Sequence, residues 1–372
     1  MDSVRLKDSE AIPLARPSIG DAERSAAQRV LSGTMLTGGA ELVRFEERLA
    51  ETATRNYAIA TSSGTSALEL SLWALGVGPG DSVLVTAFGF PAAANAVAAR
   101  GAVPVAVDVD AKSWLMDFEA AARAVTASTK AIVTIDQLGA VTSGAAIEAL
   151  EAATGLPVLS DAACGLGGTD KDGRPSGAAG RMATFSFHPR KVVTTGEGGA
   201  IVCDDADLAT KLLQLRNHGQ TGGGRFASIG TNARLDELSS AIGLAQLARL
   251  APMLVERKML VHGYYERLEG LRAASKLSWQ QLPDGAVHAN QSFSVLLAGR
   301  SNRDEVIRTL QSKGIGCGVA TYSFAEIGIH EGAGEAPNAA VLHKQALSLP
   351  LYIGMRSAEL DRVCDALAEA VL

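Results

Sequence analysis

What the sequence lacks excludes several classes of protein. The four cysteines are scattered and form no C-x-x-C pair, so neither a zinc site nor a disulfide framework is predicted. The six histidines form no H-x-x-x-H pair, and we expect no metal site. The net charge of −6 shows none of the basic excess that nucleic-acid binding requires.

Membrane and secretion signals are missing as well. No stretch reaches the roughly 18 apolar residues that a membrane-spanning helix needs. Residues 1–13 include Asp2, Lys7, Asp8 and Glu10 and no apolar core of a signal peptide. We therefore expect a cytoplasmic protein whose cysteines are reduced.

Size and composition favour a globular protein of two domains. The chain has 372 residues, of which 47% are apolar and 20% charged, and this is enough for a large core. Its 39 glycines suit many tight turns between strands and helices. We predict a large domain over residues 1–250 and a smaller α+β domain over residues 251–372.

Short apolar runs alternate with helical patterns through the first two-thirds of the chain. The predicted strands are 57–61, 82–86, 103–107, 131–135, 156–160, 183–187 and 199–203. The predicted helices are 67–75, 92–99, 145–153, 208–216 and 235–250, the last long enough to connect domains. This alternation indicates an α/β fold with a mostly parallel sheet covered by helices on both faces.

Two parts of the pattern depart from that alternation. The last two predicted strands leave no room for a helix between them, so they are expected to pair antiparallel. Glycines 222–224 predict a flexible loop before the helix at 235–250. In the smaller domain a helical stretch is predicted after Pro252, then a strand at 293–297 and helices at 303–314 and from 357 onward.

The run TSSGTSAL at residues 61–68 follows a predicted strand and opens a helix. Gly64 lets the backbone approach a ligand closely, and Thr65 and Ser66 offer hydroxyls beside the free N–H groups of the helix end. The run therefore suits a phosphate group, and we call residues 61–68 the phosphate cradle. An ordinary Ser/Thr N-cap explains it equally well. It is neither a P-loop nor a G-x-G-x-x-G motif.

Asp161 and Lys191 are the candidate catalytic residues. Asp161 ends a predicted strand, where parallel sheets bind ligands, and Lys191 lies in the run FSFHPRK before TTGEGG. With the phosphate cradle they supply what pyridoxal phosphate (PLP) requires: a lysine for the Schiff base and an acid beside the pyridine nitrogen. Taken singly, Asp161 reads as a loop cap and Lys191 as a solvated surface charge.

With these motifs in place, the sequence resembles the DegT/StrS type of PLP-dependent sugar aminotransferase, a fold-type I family. The resemblance covers nearly the whole chain. It rests on residues 12–13, 36–39, 45–46, 63–68, 78–81, 161–163, 185–199, 215–219, 232–234, 246–247 and 349–351. It implies an α/β fold with a mostly parallel sheet in the large domain and a smaller C-terminal α+β domain.

The resemblance also implies roles for individual residues. Lys191 is expected to form the Schiff base and move protons, and Asp161 to pair with the ring nitrogen. The implied cofactor-binding residues are Ser63, Gly64, Thr65, Phe90, Asp161, Cys164, Ser186, Lys191 and Asn232. Among them Phe90 stacks on the ring, and Asn232 reaches the phosphate of the neighbouring subunit, so a homodimer with shared sites is expected. From the residues alone, Phe90 reads as core and Asn232 as the N-cap of the helix near 235.

Substrate recognition is less sharply marked. The implied substrate residues are Thr37, Arg234, Thr321 and Tyr322. Departures from the family pattern, expected near substrate and donor, are Cys164, Asp136, Thr231 and Thr321. Arginines that could pair with a diphosphate or a donor carboxylate are Arg216, Arg225 and Arg234, each of which has a solvated or structural role as its alternative. For His188 and His218 we expect buried, hydrogen-bonded structural roles.

We expect an aminotransferase that moves an amino group from L-glutamate to a keto sugar, nucleotide-linked, in polysaccharide or secondary-metabolite biosynthesis. The alternatives are a transaminase of a non-nucleotide ketone, a dehydratase and a PLP-fold regulator of transcription. In this family the dehydratases carry His at the lysine position, so Lys191 favours transfer. A nicotinamide oxidoreductase would need the glycine fingerprint that the chain lacks.

Overall fold

The computed structural model describes residues 11–299, 301–330 and 334–371. The first ten residues, within the segment where no signal peptide was expected, lie outside this description. The strands are β1 Tyr57–Thr61, β2 Ser82–Thr86, β3 Phe88–Gly89, β4 Val103–Val107, β5 Thr129–Ile135, β6 Val158–Asp161, β7 Met182–Ser186, β8 Gly199–Cys203, β9 Gln220–Gly222, β10 Arg225–Phe226, β11 Leu277–Trp279, β12 Phe293–Leu297, β13 Gly318–Val319, β14 Tyr322–Ser323 and β15 Ala346–Leu349. The helices are α1 Asp21–Leu31, α2 Ala40–Thr52, α3 Gly64–Ala74, α4 Ala92–Ala99, α5 Phe118–Ala124, α6 Gly144–Thr154, α7 Ala206–Arg216, α8 Glu237–Ala248, α9 Leu250–Ala273, α10 Arg303–Ser312, α11 Pro337–Gln345 and α12 Ser357–Val371.

The main sheet has seven strands in the order β1-β8-β7-β6-β5-β2-β4. Strands β7, β6, β5, β2 and β4 pair in parallel, whereas β8 runs antiparallel to both β7 and β1. The predicted mostly parallel sheet and its antiparallel segment are therefore confirmed. All seven predicted strands are present, with ends shifted by at most two residues.

Helices cover both faces of this sheet because successive strand residues point to opposite sides. Val83 and Val85 of β2 pack into one core with α3, α4 and α7, whereas Leu84 between them packs into another with α5 and α6. All five residues of β2 are buried, as expected for a strand covered on both faces.

A second, antiparallel sheet has the order β11-β12-β15-β13. Its apolar core includes Tyr264 of α9, Phe293 and Val295 of β12, Leu310 of α10 and Leu367 of α12. The predicted division of the chain at residues 250 and 251 stays a prediction; α9 itself begins at Leu250. The two-stranded pair β3–β14 joins residues before α4 to residues after β13.

The helix predicted at 235–250 is confirmed as α8, with each end shifted by two residues, and the helical stretch predicted after Pro252 is α9. Two helices, α8 and α9, meet at Arg249 with a bend of 62°. Pro252 lies in the first turn of α9, and its ring would clash with the carbonyl of Ala248 if one helix continued through it. Among the described residues no single helix is long and apolar enough to cross a membrane; the bent pair α8–α9 meets that test only jointly, by length and composition.

Glycines 222–224 do not form a plain loop. They turn the hairpin β9–β10, in which Gly222 pairs with Arg225, and all three glycines have positive φ. Helices α1, α2, α5 and α11 were not predicted, although α2 buries Leu42, Phe45 and Leu49 at helical spacing.

Candidate active site

Asp161 ends β6 at the carboxyl edge of the parallel strands. In the sheet register it lies opposite Ile135 of β5 and Thr184 of β7. Its side chain is buried, and Oδ1 accepts a hydrogen bond from the Ala163 N–H at 3.1 Å. Burial raises the pKa of this carboxyl, while the Ala163 N–H and the charge of Lys191 act in the opposite direction. A carboxyl in this place is stabilised most by a cationic partner, because pairing offsets its loss of hydration.

Lys191 lies in the loop that joins β7 to β8, and its amine faces Cys164. The Nζ atom lies 3.1 Å from Cys164 Sγ, and both side chains are half-buried. The Lys191 N–H donates to the carbonyl of His188 at 2.8 Å. Since Cys164 follows Asp161 by three residues, the fold brings together three residues that the sequence analysis assigned to the cofactor.

The predicted phosphate cradle forms the beginning of α3. Ser63 is the N-cap of this helix, and its Oγ accepts a hydrogen bond from the Ser66 N–H at 3.0 Å. The N-capping alternative therefore holds for Ser63, whose hydroxyl is engaged within the helix end. The N–H groups of Gly64 and Thr65 lie in the first turn, where a helix supplies no acceptor, at the positive end of the helix dipole. These two N–H groups are the ones suited to an anion.

Glycine at two positions brings Ser186 close to this helix end. A Cβ on Gly64 would lie 2.8 Å from Ser186 Cβ and 3.2 Å from its Oγ. Gly199 pairs with Ser186 across β7 and β8, and a Cβ there would lie 2.3 Å from the carbonyl oxygen of Ser63. A larger side chain at either position would separate the Ser186 hydroxyl from the first turn of α3.

These residues fit PLP, the cofactor expected from the sequence. The cofactor has an aldehyde, a ring nitrogen and a phosphate, and it therefore needs an amine, an acid and an anion site. Lys191, Asp161 and the Gly64–Ser186 pair provide these three groups on neighbouring elements of one sheet edge. Asp161 is buried, and the hydrogen bond that its carboxylate accepts from the Ala163 N–H occupies only one of its oxygens. The carboxylate can therefore pair with a cationic ring nitrogen.

Phe90 follows β3, and its side chain is 69% exposed, so the interpretation of Phe90 as core is wrong. Its ring centroid lies 6.3 Å from that of Tyr322, because Gly89 of β3 pairs with Tyr322 of β14. Thr321, just before Tyr322, is buried, and its carbonyl accepts a hydrogen bond from His343 Nδ1 at 3.5 Å. The fold therefore joins two predicted ligand-binding aromatics, while the Thr321 side chain is mostly covered.

A second group of predicted residues lies beside β1. Arg234 donates a hydrogen bond from Nη1 to Asn217 Oδ1, and Asn217 forms a β-bridge with Asn232. Asn232 is exposed and does not cap α8, whose N-cap is Asp236; the capping interpretation of Asn232 is wrong. Thr37 is exposed and forms a β-bridge with Asp236.

Two of the three candidate arginines have different surroundings from Arg234. Arg216 is buried and forms an ion pair with Glu46, and it also donates to the carbonyl of Ala60 at 2.6 Å. Its structural role is therefore confirmed. Arg225 is exposed on the hairpin β9–β10.

Asp136 lies beneath the site and not on its surface. It is 1% exposed, and its carboxylate accepts hydrogen bonds from Ser176 Oγ at 2.5 Å and from the Thr142 N–H at 2.9 Å. Burial raises the pKa of Asp136 from 3.8 to about 6, and the charge of Asp161 adds to that rise. Thr231, another departure from the family pattern, is exposed, and its carbonyl accepts from the His218 N–H.

The buried roles expected for two histidines are wrong. His188 accepts a hydrogen bond from the Arg190 N–H at Nδ1, but its side chain is 46% exposed. His218 is exposed and has a φ of +58°, so what is unusual at this position is the left-handed backbone of the turn and not a buried side chain.

Sequence reasoning missed Gln291, whose side-chain amide bonds to the backbone on both sides of Lys191. One hundred residues separate the two positions, and no local pattern in the sequence marks such a contact. Within the described parts of the chain, no group of three or more His, Cys, Asp or Glu side chains is placed to hold a metal ion.

Comparison with known proteins finds similarity along nearly the whole chain. The sequence model of the DegT/DnrJ/EryC1/StrS aminotransferase family matches residues 17–368. GDP-perosamine synthase of Caulobacter vibrioides is 32% identical over 374 residues, which cover 99% of this chain and 100% of the relative. Spr1654 of Streptococcus pneumoniae, described as a sugar aminotransferase and solved in its PLP form, is 26% identical with a TM-score of 0.89, covering 97% and 100% of the two chains. A GDP-4-keto-6-deoxymannose-3-dehydratase with bound GDP-perosamine is 27% identical with a TM-score of 0.87, covering 96% and 100%.

Proposed function

Because this chain belongs to the DegT/DnrJ/EryC1/StrS aminotransferase family, whose cofactor is PLP, we propose that it transfers the amino group of L-glutamate to a nucleotide-linked keto sugar. The observation that carries the proposal is that the Lys191 amine lies 3.1 Å from Sγ of Cys164, which is three residues along the chain from the buried Asp161 carboxyl at the edge of the main sheet, and that its charge acts to lower the pKa of that carboxyl. Family membership establishes an aminotransferase, whereas the residue roles and both substrates are parts of the proposal.

Bound PLP supplies a protonated ring that withdraws electrons from the substrate carbon. Asp161 stabilises the proton on the ring nitrogen, since an ion pair at about 4 Å is worth roughly 4 kcal/mol at an effective dielectric constant of about 20, before desolvation. The Lys191 amine would hold the cofactor and, when free, would accept the proton of the donor's α-carbon at Nζ and pass it to the cofactor. With the acceptor bound, Nζ would carry a proton from the cofactor to the carbon that receives the amino group.

The other cofactor-binding residues hold PLP in place. The N–H groups of Gly64 and Thr65 and the Ser186 hydroxyl bind its phosphate, where the helix end favours negative charge. Phe90 would cover one face of the ring, a role that its 69% exposure allows. Cys164 lies 3.1 Å from the Lys191 amine and limits where that amine rests when it is free.

The acceptor is proposed from similarity together with the surface beside the site. GDP-perosamine is named for the synthase to which this chain is 32% identical and for the ligand of the similar dehydratase. Tyr322, 37% exposed beside Phe90, is proposed to contact the sugar, with Thr321 next to it. Arg234 and Thr37, which lie on the β1 side, are proposed to contact the remainder of the nucleotide sugar. Such products serve polysaccharide or secondary-metabolite biosynthesis.

One experiment separates this function from the alternatives. L-Glutamate added to the PLP-loaded protein is expected to convert the bound cofactor to its pyridoxamine form, and a nucleotide-linked 4-keto sugar to convert it back. Lys191→Ala should abolish both conversions, and Asp161→Asn should slow them by at least about 100-fold, which corresponds to the loss of roughly 3 kcal/mol. Reaction with simple ketones but with no keto sugar would refute the acceptor alone. Sugar deoxygenation without net amino transfer would identify a dehydratase.

We also propose a homodimer in which Asn232 reaches the phosphate bound by the partner. Asn232 is exposed, and the large apolar side chains of Phe226 (66%), at the end of the neighbouring hairpin, and of Ile229 (82%), three residues later, are exposed as well. Apolar side chains exposed in this way are typical of contact surfaces. Light scattering is expected to give twice the chain mass, and Phe226→Glu should shift the protein toward the monomer while Val341→Glu, on α11, should not. A monomeric wild type with full activity would refute this arrangement.

A cytoplasmic location completes the proposal. It accords with a site that uses a free lysine and a free cysteine in contact, and with the four unpaired thiols of the described chain. Fractionation of cells that produce the protein would test it, and recovery with the membranes or the medium would contradict it.

A further inference from the structure

The side chain of Gln291 is bonded to the chain on both sides of Lys191. Its Oε1 accepts a hydrogen bond from the Val192 N–H at 3.0 Å, and its Nε2 donates to the Arg190 carbonyl at 2.6 Å. Gln291 is 8% exposed, so water competes little for either bond. Because the two bonds flank a single residue, they restrict the backbone from which the lysine side chain extends.

Arg257 of α9 fixes Gln291 from the opposite side. Its Nε donates to the Asn290 carbonyl and its Nη2 to the Gln291 carbonyl, both at 2.7 Å. Arg257 is 5% exposed, and no carboxylate lies within ion-pair distance of it among the described residues. Burial lowers its pKa to about 10, which the nearby Glu256 opposes. A buried guanidinium that donates hydrogen bonds to two adjacent backbone carbonyls is suited to hold the segment around Gln291 in place.

The segment held by Arg257 has little freedom of its own. Asn290 has a φ of +51°, and Leu138, in the segment to which residues 289 and 292 bond, has a φ of +59°. The N–H of Ala289 donates to the Gly139 carbonyl at 2.8 Å, and that of Ser292 to the Leu138 carbonyl at 3.1 Å. Left-handed backbone at non-glycine residues costs on the order of 1 kcal/mol or more and persists only where surrounding contacts enforce it.

We propose that Gln291 is a positioning residue for Lys191, and that Arg257 acts through it. The lysine side chain is a flexible four-carbon stem, so the location of its amine depends on a fixed backbone and on the Cys164 contact. The two hydrogen bonds of the Gln291 side chain, which we call the clamp, fix that backbone. They also connect the loop of Lys191 to α9, through Arg257, and to the strand β12 that follows Gln291. This inference rests on the proposed role of Lys191 in proton transfer.

The test compares Gln291→Met with wild type in the PLP-loaded protein. Methionine fills similar volume without either hydrogen bond. The maximal rate of the half-reaction with L-glutamate is expected to fall between about 10- and 100-fold, because misplacement of a reacting group by about 1 Å costs up to about 100-fold. The half-saturating glutamate concentration should stay within about threefold of the wild-type value, since binding of glutamate before the reaction does not depend on the exact position of the Lys191 amine.

Two further variants separate positioning from general destabilisation. Gln311→Met on α10 removes a comparable side-chain bond, to the Cys317 carbonyl at 3.1 Å, and should leave the half-reaction rate unchanged. Gln291→Glu keeps an acceptor for the Val192 N–H and should recover part of the rate. The pH midpoint of the absorption change of the lysine-bound cofactor should move in Gln291→Met and not in Gln311→Met.

A separate experiment distinguishes a wrong role for Gln291 from a wrong role for Lys191. Borohydride reduction followed by peptide mapping should attach the cofactor to Lys191 in wild type and in Gln291→Met alike. Absence of that adduct in wild type would refute the role of Lys191. An adduct in both proteins, with a Gln291→Met rate within about twofold of wild type or an unmoved pH midpoint, would overturn the clamp.

Discussion

Replacing Asp136 with asparagine should stabilise the cofactor-free protein at neutral pH. The aspartate is 1% exposed, and neither of its hydrogen bonds comes from a charged group: one partner is the Ser176 hydroxyl and the other the Thr142 N–H. The nearby charge of Asp161 adds repulsion. Asparagine keeps the size and one acceptor, and the serine hydroxyl can turn to accept from the new amide.

The magnitude follows from the shift in the pKa of Asp136 from 3.8 to about 6. Between these two values the folded state binds more protons than the unfolded state, so stability falls as the pH rises through this window. Above pH 6 the penalty for the charged form is complete and amounts to about 3 kcal/mol as an upper bound, from about 1.4 kcal/mol per pKa unit. Near pH 5 the destabilisation caused by the charged form of Asp136 is about half of this full value.

Urea denaturation of wild type and Asp136→Asn at pH 5 and at pH 7.5 checks this prediction. The variant's gain in free energy of unfolding is expected to be larger at pH 7.5 by about 1 kcal/mol or more. Asp110→Asn is a control of opposite sign, because hydrogen bonds from Ser113 lower the pKa of Asp110, so this variant should lose stability at neutral pH. A gain for Asp136→Asn that is equal at both pH values, or a loss that grows toward pH 7.5, would refute the reasoning.

Two other predictions concern the cradle and the buried ion pair. Gly64→Ala places a methyl group against Ser186 and should weaken PLP binding by about tenfold or more, measured by titration of the cofactor's absorption. Arg216→Met leaves Glu46, whose side chain is mostly covered at 17% exposure, without its charged partner and should lower the free energy of unfolding by up to about 3–5 kcal/mol, measured in urea.

Each of these variants has a matched control. Gly78→Ala adds a methyl group in open space, so it should leave PLP affinity unchanged; equal weakening at both glycines would contradict the cradle. Arg48→Met removes an exposed ion pair with Glu51 and should cost less than about 1 kcal/mol. If Arg216→Met costs no more than this, the pair does not stabilise the fold.

The seven strands of the main sheet were predictable because each one is a short apolar run with its own boundaries. The strand 57–61, for example, stands between the polar Arg55-Asn56 and Ser62-Ser63. Parallel pairing followed from the helices between the strands, and the antiparallel β8 from the short connection to β7. The change from one helix to the next was expected at residues 250–252 and lies at Arg249, since Pro252 forbids one continuous helix there.

For the candidate site, residues near one another in sequence were the ones that local patterns marked. Gly64 belongs to a strand-to-helix turn, Asp161 to a strand end and Lys191 to a loop with its own glycines. Exposure was harder to foresee: Phe90 lies on the surface and His218 in an exposed turn. A single side chain's burial depends on elements elsewhere in the chain, such as β14 in the case of Phe90.

The sequence by itself determined the order of the strands along the chain, the glycine turn for the phosphate, and the presence of one acid and one lysine suited to PLP. Each depends on residues within a few positions of one another, where spacing fixes local backbone geometry. Tertiary structure alone decided that Asp136 lies buried beneath Asp161, that Arg216 pairs with Glu46, and that Gln291 holds the loop of Lys191. Those contacts join residues 25 to 170 positions apart, and their energies come from burial and hydrogen bonding that exist only once the sheets and helices have packed.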